Sequence, residues 1–495
     1  WQDITPPDVE AFTLIGKIEV SPHATGTAWV AATRYKLDDN KPYLYLTEDY
    51  GQTWQNICAN FPQDAFTRVI REDPVRPGLL YVATETGLYI SLDRGTHWKR
   101  LQNNLPVVPI YDLVIKDDDL VAATHGRSFW ILDDLGPLRQ LQEEVTLSPA
   151  HLFAPSRTYC RWLNWDADLY QGPGLHYTLA MGAHAAFYEE KSPTGVPIRK
   201  LLDAGENPPQ GVIVYYILKD VPTEPIQLEF LDTDGASIKL FSSKIEEDNT
   251  NKDEGEEPEK KEERFVPAAP GLNRFVWNMR TPDTPEVQPD KNQKKPIDGP
   301  RSLEHKQANG PLVPPGTYQV RLSLGEKTWT QSFEIHKDPR VQATQEDFDA
   351  RSALWRKIHD KLSQTIETIN RIRKIRSQIR EWTRSTEKAG SQITAAAKAL
   401  HENLLAIESD LTLVGEDSIG VRLRLPDRLD TKLAGLTKVI SVGDFAPTKQ
   451  TYDVFAHLSA QLDELLVRLG KLIQEDVTAL NESIQQAQLP LISTG

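Results

Sequence analysis

The run Thr47-Glu48-Asp49-Tyr50-Gly51-Gln52-Thr53-Trp54 returns 44 residues later as Ser91-Leu92-Asp93-Arg94-Gly95-Thr96-His97-Trp98. Nothing else in the chain restricts the fold as much. Both copies obey Ser/Thr-x-Asp-x-Gly-x-x-Trp, and both follow strand-like runs, Tyr43-Leu44-Tyr45-Leu46 and Gly87-Leu88-Tyr89-Ile90. The residue types suit a tight hairpin turn. An Asp carboxylate accepts backbone N–H bonds inside the turn, Gly supplies a positive φ, and a Trp on the returning strand buries a large apolar face.

Other segments recur in phase with the boxes. Ile18-Glu19-Val20-Ser21-Pro22 resembles Val69-Ile70-Arg71-Glu72-Asp73-Pro74, and Tyr111-Asp112-Leu113-Val114-Ile115 takes the same place in the next unit. Trp29-Val30-Ala31-Ala32-Thr33, Leu80-Tyr81-Val82-Ala83-Thr84 and Leu120-Val121-Ala122-Ala123-Thr124 read as the second strand of each unit. Short strands at a period of roughly 40 to 50 residues are the sequence form of propeller blades. Trp1-Gln2-Asp3-Ile4 aligns with Trp54-Gln55-Asn56-Ile57 and Trp98-Lys99-Arg100-Leu101, so Trp1 is expected to close a further box. Residues 1–135 hold only some three units, whereas propellers close with roughly four to eight blades. Further blades are expected upstream in the polypeptide or from another chain.

The octapeptide is the Asp box, a signature of sialidase-like and sortilin-type propellers. The run from Phe66-Thr67-Arg68-Val69-Ile70-Arg71-Glu72-Asp73-Pro74 through His125-Gly126-Arg127-Ser128-Phe129-Trp130-Ile131-Leu132-Asp133-Asp134 resembles the last blades of large bacterial sortilin-type or BNR-repeat proteins, often labelled glycosyl hydrolases. The resemblance implies a β-then-α multidomain chain: incomplete Asp-box propeller blades, an Ig-like antiparallel β-sandwich, then an antiparallel helical bundle. The hydrolase label rests mainly on the box, an outer folding element. Asp49, Gly51, Trp54, Asp93, Gly95, Trp98 and Trp1 are therefore assigned structural roles and not catalytic ones.

The period supports the same division. After Asp134 the repeat stops, and residues 136–205 read as a connector of irregular strands packed on the propeller, with Trp162, Trp165 and Tyr170 as packing residues. Alternating strands return within 206–340, including Val212-Ile213-Val214-Tyr215-Tyr216-Ile217 and Gly316-Thr317-Tyr318-Gln319-Val320-Arg321-Leu322, as a sandwich requires. Residues 244–264, acidic and almost without apolar side chains, and residues 280–310, rich in Pro, Lys, Asp and Asn, read as solvated mobile loops. The acidic stretch could bind Ca²⁺ but lacks the regular Asp/Asn-Gly spacing of a calcium loop.

From Thr344, a plausible N-cap, the period becomes 3.6. Phe348, Trp355, Ile358, Leu362, Ile366, Ile369, Ile372, Ile379 and Trp382 share one stripe. Further helices are expected near 393–411, 427–439 and 448–488, giving a bundle or hairpin over 341–495 that offers a surface for homo-oligomers.

Composition limits partners. A net charge of −15 over 495 residues opposes a nucleic-acid binder, whose footprint is basic. No apolar run approaches the roughly 18 residues of a membrane span. Cys58 and Cys160, the two cysteines, lie in no metal-ligand spacing; they could pair with each other, and the plainer reading is two buried free thiols. Compartment stays open. Proteins of this appearance are commonly periplasmic or secreted, but the chain offers neither a targeting segment nor a disulfide framework.

Candidate chemistry is sparse. A sialidase centre needs converging arginines, and Arg68, Arg71 and Arg127 are available without that family's Arg-Ile-Pro signature. No Ser-His-Asp triad, P-loop or zinc motif occurs, so no catalytic residue, metal or cofactor is assigned. His125-Gly126-Arg127 offers an anion or carboxylate site at the propeller mouth, and Arg68 and Arg71 are further candidate ligand-binding residues. The bland reading pairs His125 and Arg127 with neighbours such as Asp133 or Asp134. Two functions of different class remain. One is a non-catalytic propeller scaffold that binds peptides or proteins and assembles with further blades. The alternative is one wall of a glycan-binding or glycan-cleaving propeller completed by upstream sequence.

Overall fold

The computed structural model describes residues 1–142, 145, 147–160, 173–180, 183–191, 197–202, 205, 208–243, 265–288, 308–385, 391–414 and 426–486. Several mostly antiparallel sheets come first and helices follow. Trp162, Trp165, Tyr170, the acidic segment 244–264, and residues 289–307 of the second expected loop lie outside the described residues.

Strands β1 (Leu14–Val20), β2 (Ala28–Arg34), β3 (Asp39–Thr47) and β4 (Gln55–Asn56) form one antiparallel sheet in chain order. Strands β5 (Thr67–Glu72), β6 (Leu80–Thr84), β7 (Leu88–Ser91) and β8 (Lys99–Arg100) repeat it. The third sheet has β9 (Ile110–Lys116), β10 (Asp119–Thr124) and β11 (Phe129–Leu132), and no fourth strand among the described residues. The middle sheet buries alternate residues on its two neighbours. Trp29, Ala31, Leu44 and Leu46 meet Ile70, Leu80, Val82 and Tyr89. On the other face of the middle sheet Val69, Tyr81, Ala83 and Ile90 meet Leu113, Leu120 and Ala122. That is why β6 reads as an unbroken apolar run: a strand covered on both faces has no polar side to alternate with.

A short helix, α1 (Gly136–Gln140), follows the third sheet. Arg139 reaches back from it to the fully buried Asp73, 3.0 Å away, and to Asp118 at 2.5 Å. Arg76 returns the contact through the Leu138 and Leu141 carbonyls, capping the C-terminal end of this short helix. Then come β12 (Ala150–Leu152), β13 (Thr158–Cys160), β14 (Gly174–Ala180), β15 (Ala183–Lys191), β16 (Pro197–Leu201), β17 (Val212–Leu218), β18 (Gln227–Leu231), β19 (Ser237–Ser242), β20 (Gly271–Trp277), β21 (Gly316–Leu324) and β22 (Lys327–Lys337). Strands β14, β15 and β16 pair as a regular antiparallel sheet where irregular strands were expected.

Two sheets, β12-β17-β20 and β13-β22-β21-β18-β19, share one core. Phe230 stacks on Trp277 at its centre, 4.3 Å between ring centroids. The larger sheet is antiparallel except at its edge, where β13 runs parallel to β22. Residues 280–288 depart from the expected solvated loop. Thr284 is fully buried, the Gln288 amide donates to Asn370 Oδ1 at 2.8 Å, and Asn370 Nδ2 donates to the Glu286 carbonyl at 2.7 Å. Residues 281–284 pair with 308–311, where the Thr281 and Thr284 amides donate to the Pro311 and Ala308 carbonyls, and the Asn370 side chain takes up the backbone of 286–288 beyond them.

The helices are α2 (Gln345–Ser385), α3 (Ser391–Leu411), α4 (Leu429–Ser441), α5 (Lys449–Leu472), a π-helical turn at Ile473–Val477, and α6 (Thr478–Gln486). Thr344 caps α2: its hydroxyl accepts from the Asp347 amide at 3.3 Å while Asp347 Oδ2 accepts from the Thr344 amide at 2.9 Å. Thr448 caps α5 in the same way through the Thr451 amide. The stripe Trp355, Ile358, Leu362, Ile366, Ile369 and Ile372 packs against Leu404, Leu433, Leu462 and Leu480.

Candidate functional site

The two boxes share one geometry. In the first, Thr47 Oγ1 accepts from the Gly51 amide at 2.8 Å, and Asp49 accepts from the Thr53 amide at 2.8 Å and the Thr53 hydroxyl at 2.6 Å. In the second, Ser91 Oγ accepts from the Gly95 amide at 2.8 Å, and Asp93 accepts from the His97 amide at 2.9 Å while contacting His97 Nδ1 at 2.6 Å. The bonds from Thr53 hold the Asp49 carboxyl below its usual range. Partial burial opposes the same effect at Asp93, and the bonds from His97 and Ser91 outweigh it. Carboxylates occupied within their own turns are poor proton donors to a substrate.

Each box also seats on the unit before it. Trp54 Nε1 donates to the Ile4 carbonyl at 2.8 Å, and Trp98 Nε1 donates to the Ile57 carbonyl at 2.9 Å. Gly51 (φ 85°) and Gly95 (φ 87°) approach the same isoleucines so closely that a Cβ would lie 2.7 Å and 2.8 Å from Ile4 Cδ1 and Ile57 Cδ1. Ile4 therefore stands to Trp54 as Ile57 stands to Trp98. The Trp1 ring is fully exposed.

The four polar residues singled out by sequence divide. Arg71 is tied up: it donates to Glu19 on β1 at 2.7 Å, to Asp112 on β9 at 2.9 Å, and to the Leu113 carbonyl at 2.6 Å. It fastens three neighbouring strands. Arg68, at the start of β5, donates through Nε to Glu85 at 2.7 Å. The three arginines do not converge on one point with free donors.

Arg68 is also the middle of an aromatic array. Its Cζ lies 4.1 Å from the Tyr111 ring centroid, 5.0 Å from that of Phe66 and 5.6 Å from that of Tyr35. Tyr35 stacks on Phe66 at 5.1 Å and 11°, and Tyr111 meets the His125 ring edge-on at 4.9 Å. The members come from all three N-terminal sheets. Tyr35 follows β2, Phe66 immediately precedes β5, Arg68 lies at its start, Tyr111 lies on β9, and His125 lies in the β10–β11 turn. In every sheet these positions fall at the end where the first strand begins, because Leu14 pairs with Thr33, Thr67 with Thr84 and Ile110 with Thr124. His125 and Arg127 are exposed there, on a turn that Gly126 (φ 82°) makes possible. The Arg127 guanidinium makes no ion pair or hydrogen bond with the described residues, and Asp134 instead accepts from the Ser156 hydroxyl at 2.6 Å. The expected pairing of His125 or Arg127 with Asp133 or Asp134 is thus not formed. Among the described residues the rim carries an unspent Arg127 cation, a half-exposed Tyr111 and the His125 imidazole, a combination suited to a carboxylate next to an apolar or aromatic group.

Sequence reasoning missed Tyr35, Phe66, Tyr111 and Glu85. Tyr111 had a signal, since it opens the third copy of a repeated strand; Glu85 had none before the β5–β6 pairing was known. Cys58 and Cys160 are buried free thiols, and burial pushes the Cys58 thiol up to about 12. Among the described residues no group of three or more His, Cys, Asp or Glu is placed to hold a metal, and no helix is long and apolar enough to cross a membrane.

No family model matches the sequence, and the comparison with curated proteins found no match. Two solved structures share local likeness. One is YCF48 bound to D1 peptide, at 16% identity and a TM-score of 0.19 over 24% of this chain and 37% of that one. The other is an ancestral GH74 enzyme, at 12% identity and a TM-score of 0.19 over 47% of this chain and 38% of that one. The chain spans less than two-fifths of the length of either, and at these scores neither bears on fold class or function.

Proposed function

We propose that the three N-terminal sheets are consecutive blades of an Asp-box β-propeller, and that the protein is a non-catalytic scaffold binding peptides or proteins at the rim built by Arg68, Tyr111, His125 and Arg127. In this reading the paired sheets of residues 206–340 are an Ig-like sandwich, and the helical tail is an assembly element. The observation that carries the binding role is the aromatic–cationic array that crosses all three sheets at one end while leaving the Arg127 guanidinium unspent. Arg68 and Arg71 are spent on Glu85, Glu19 and Asp112, so two of the three arginines that a grip on a sugar acid would need are already paired. Completion of the ring is supported by apolar residues on the open sides of the outer sheets, Ile18 and Val20 at one end and Val114, Phe129 and Ile131 at the other.

The test is a peptide library with acidic and aromatic positions, read by fluorescence polarisation. Binding should weaken about tenfold or more in Arg127→Ala, the loss of one charge-assisted bond. Turnover of any member of a glycoside panel by the same preparation would overturn the scaffold reading in favour of a glycan-processing propeller.

A further inference from the structure

One position of the repeat sets the charge of the rim. Leu14 pairs with Thr33, Thr67 with Thr84, and Ile110 with Thr124. The residues that follow these threonines, Arg34, Glu85 and His125, therefore stand at one place in the three sheets. Each is used differently. Arg34 is paired within its own sheet region, with Glu10 at 2.8 Å and Asp39 at 3.3 Å. His125 leans on the edge of Tyr111. Glu85 instead accepts from Arg68, through Nε at 2.7 Å and through Nη2. The turn that carries it is fixed, since Thr84 Oγ1 accepts from the Thr86 amide at 3.2 Å and from the Gly87 amide at 3.1 Å.

Tyr111 touches both halves of the rim. On one side the Arg68 guanidinium lies 4.1 Å from its ring centroid; on the other the His125 ring lies at 4.9 Å, two residues before Arg127. The two halves differ in charge. Arg127 is unspent among the described residues, whereas Arg68 and Glu85 cancel. Both bonds from Arg68 end on Glu85 Oε2, and the Glu85 side chain is 35% exposed, against 13% for Arg68. Of this pair the carboxylate is thus the member that faces an incoming ligand. The net charge of −15 adds a long-range field that disfavours strongly anionic partners.

Resting on the peptide-binding reading above, we propose that Glu85 is a specificity-determining residue that restricts the rim to ligands with a single carboxylate beside an aromatic group. The ligand carboxylate pairs with Arg127 and its aromatic ring rests on Tyr111. A second negative charge on the far side of that ring meets Glu85, and the cation that could have received it is already occupied. Selection of this kind works by repulsion as well as by attraction. Removing the Glu85 charge should release Arg68 and admit the second acid.

The test titrates the full chain into two fluorescein-labelled peptides with blocked termini and neutral flanks, one presenting Asp-Phe and the other Asp-Phe-Asp. Wild type should bind the singly acidic peptide about fivefold more tightly, the scale of one like-charge contact in water. Glu85→Gln keeps an acceptor for Arg68 but removes the charge. It should gain about tenfold for the doubly acidic peptide, the scale of one charge-assisted bond, and so reverse the preference. A gain in affinity cannot come from a misfolded variant. Adding Arg68→Gln to Glu85→Gln should cancel the gain, because the released cation is gone. An unchanged ratio in Glu85→Gln, a wild type that prefers the doubly acidic peptide, or a gain that survives Arg68→Gln overturns the selection. In each of those cases the peptide-binding reading still stands on the binding lost in Arg127→Ala. If neither peptide binds wild type or Glu85→Gln, the peptide-binding reading fails and the selection falls with it.

Discussion

The indole nitrogen of Trp98 donates to the carbonyl of Ile57 at 2.9 Å, and the equivalent bond joins Trp54 to Ile4. Each box Trp is therefore a fastener between units as well as buried surface. Trp98 is 8% exposed, so loss of its donor strands a buried carbonyl. Trp98→Phe should cost about 1–3 kcal/mol, read by urea denaturation. A cost near zero would place the fastening elsewhere.

Gly95 and Gly126 both adopt left-handed φ, 87° and 82°, but differ in what surrounds them. A Cβ at Gly95 would press on Ile57 Cδ1 at 2.8 Å, whereas at Gly126 nothing lies within 4 Å. Gly126→Ala should cost about 1–2 kcal/mol from backbone strain alone. Gly95→Ala adds about 1–3 kcal/mol of overpacking. Paired thermal melts of the two variants read the difference.

Within the helices, Glu408 is fully buried and accepts from Arg373 at 2.7 Å and from Arg376. Glu408→Gln leaves two buried guanidinium groups without their shared counter-charge. The expected loss is about 3–5 kcal/mol, followed by helical ellipticity during denaturation.

Burial raises the Asp134 carboxyl above its ordinary value, against the bonds it accepts from Ser156 and the Gly136 amide. A carboxyl raised in the folded state penalises folding once ionised. The penalty is absent below the unfolded value of about 4 and grows as pH rises through the folded one. Both bonds end on Oδ1, which an amide retains. Asp134→Asn should therefore raise Tm at neutral pH, with the gain vanishing in acid.

The sheets were legible because three segments recur in phase, and the helical stripe because the Phe348–Trp382 series keeps one period. What escaped detection was long-range or unrepeated. The parallel β13–β22 pair joins three residues near 158 to three near 335, and no local signal encodes it. The same holds for Asn370, whose amide secures residues 286–288 from another element. At the rim, His125 and Arg68 were visible as isolated polar residues. Tyr111 joins them only because β5 and β9 lie side by side, which the chain order alone does not state.

The central claim is that these three sheets are part of a larger ring. Class-averaged electron micrographs of the protein in solution test it most directly. The account predicts additional sheets abutting β1 and β11, with Ile18, Val20, Phe129 and Ile131 covered. A three-sheet stack with solvent on both outer faces, or a ring closed by these three sheets alone, would contradict it.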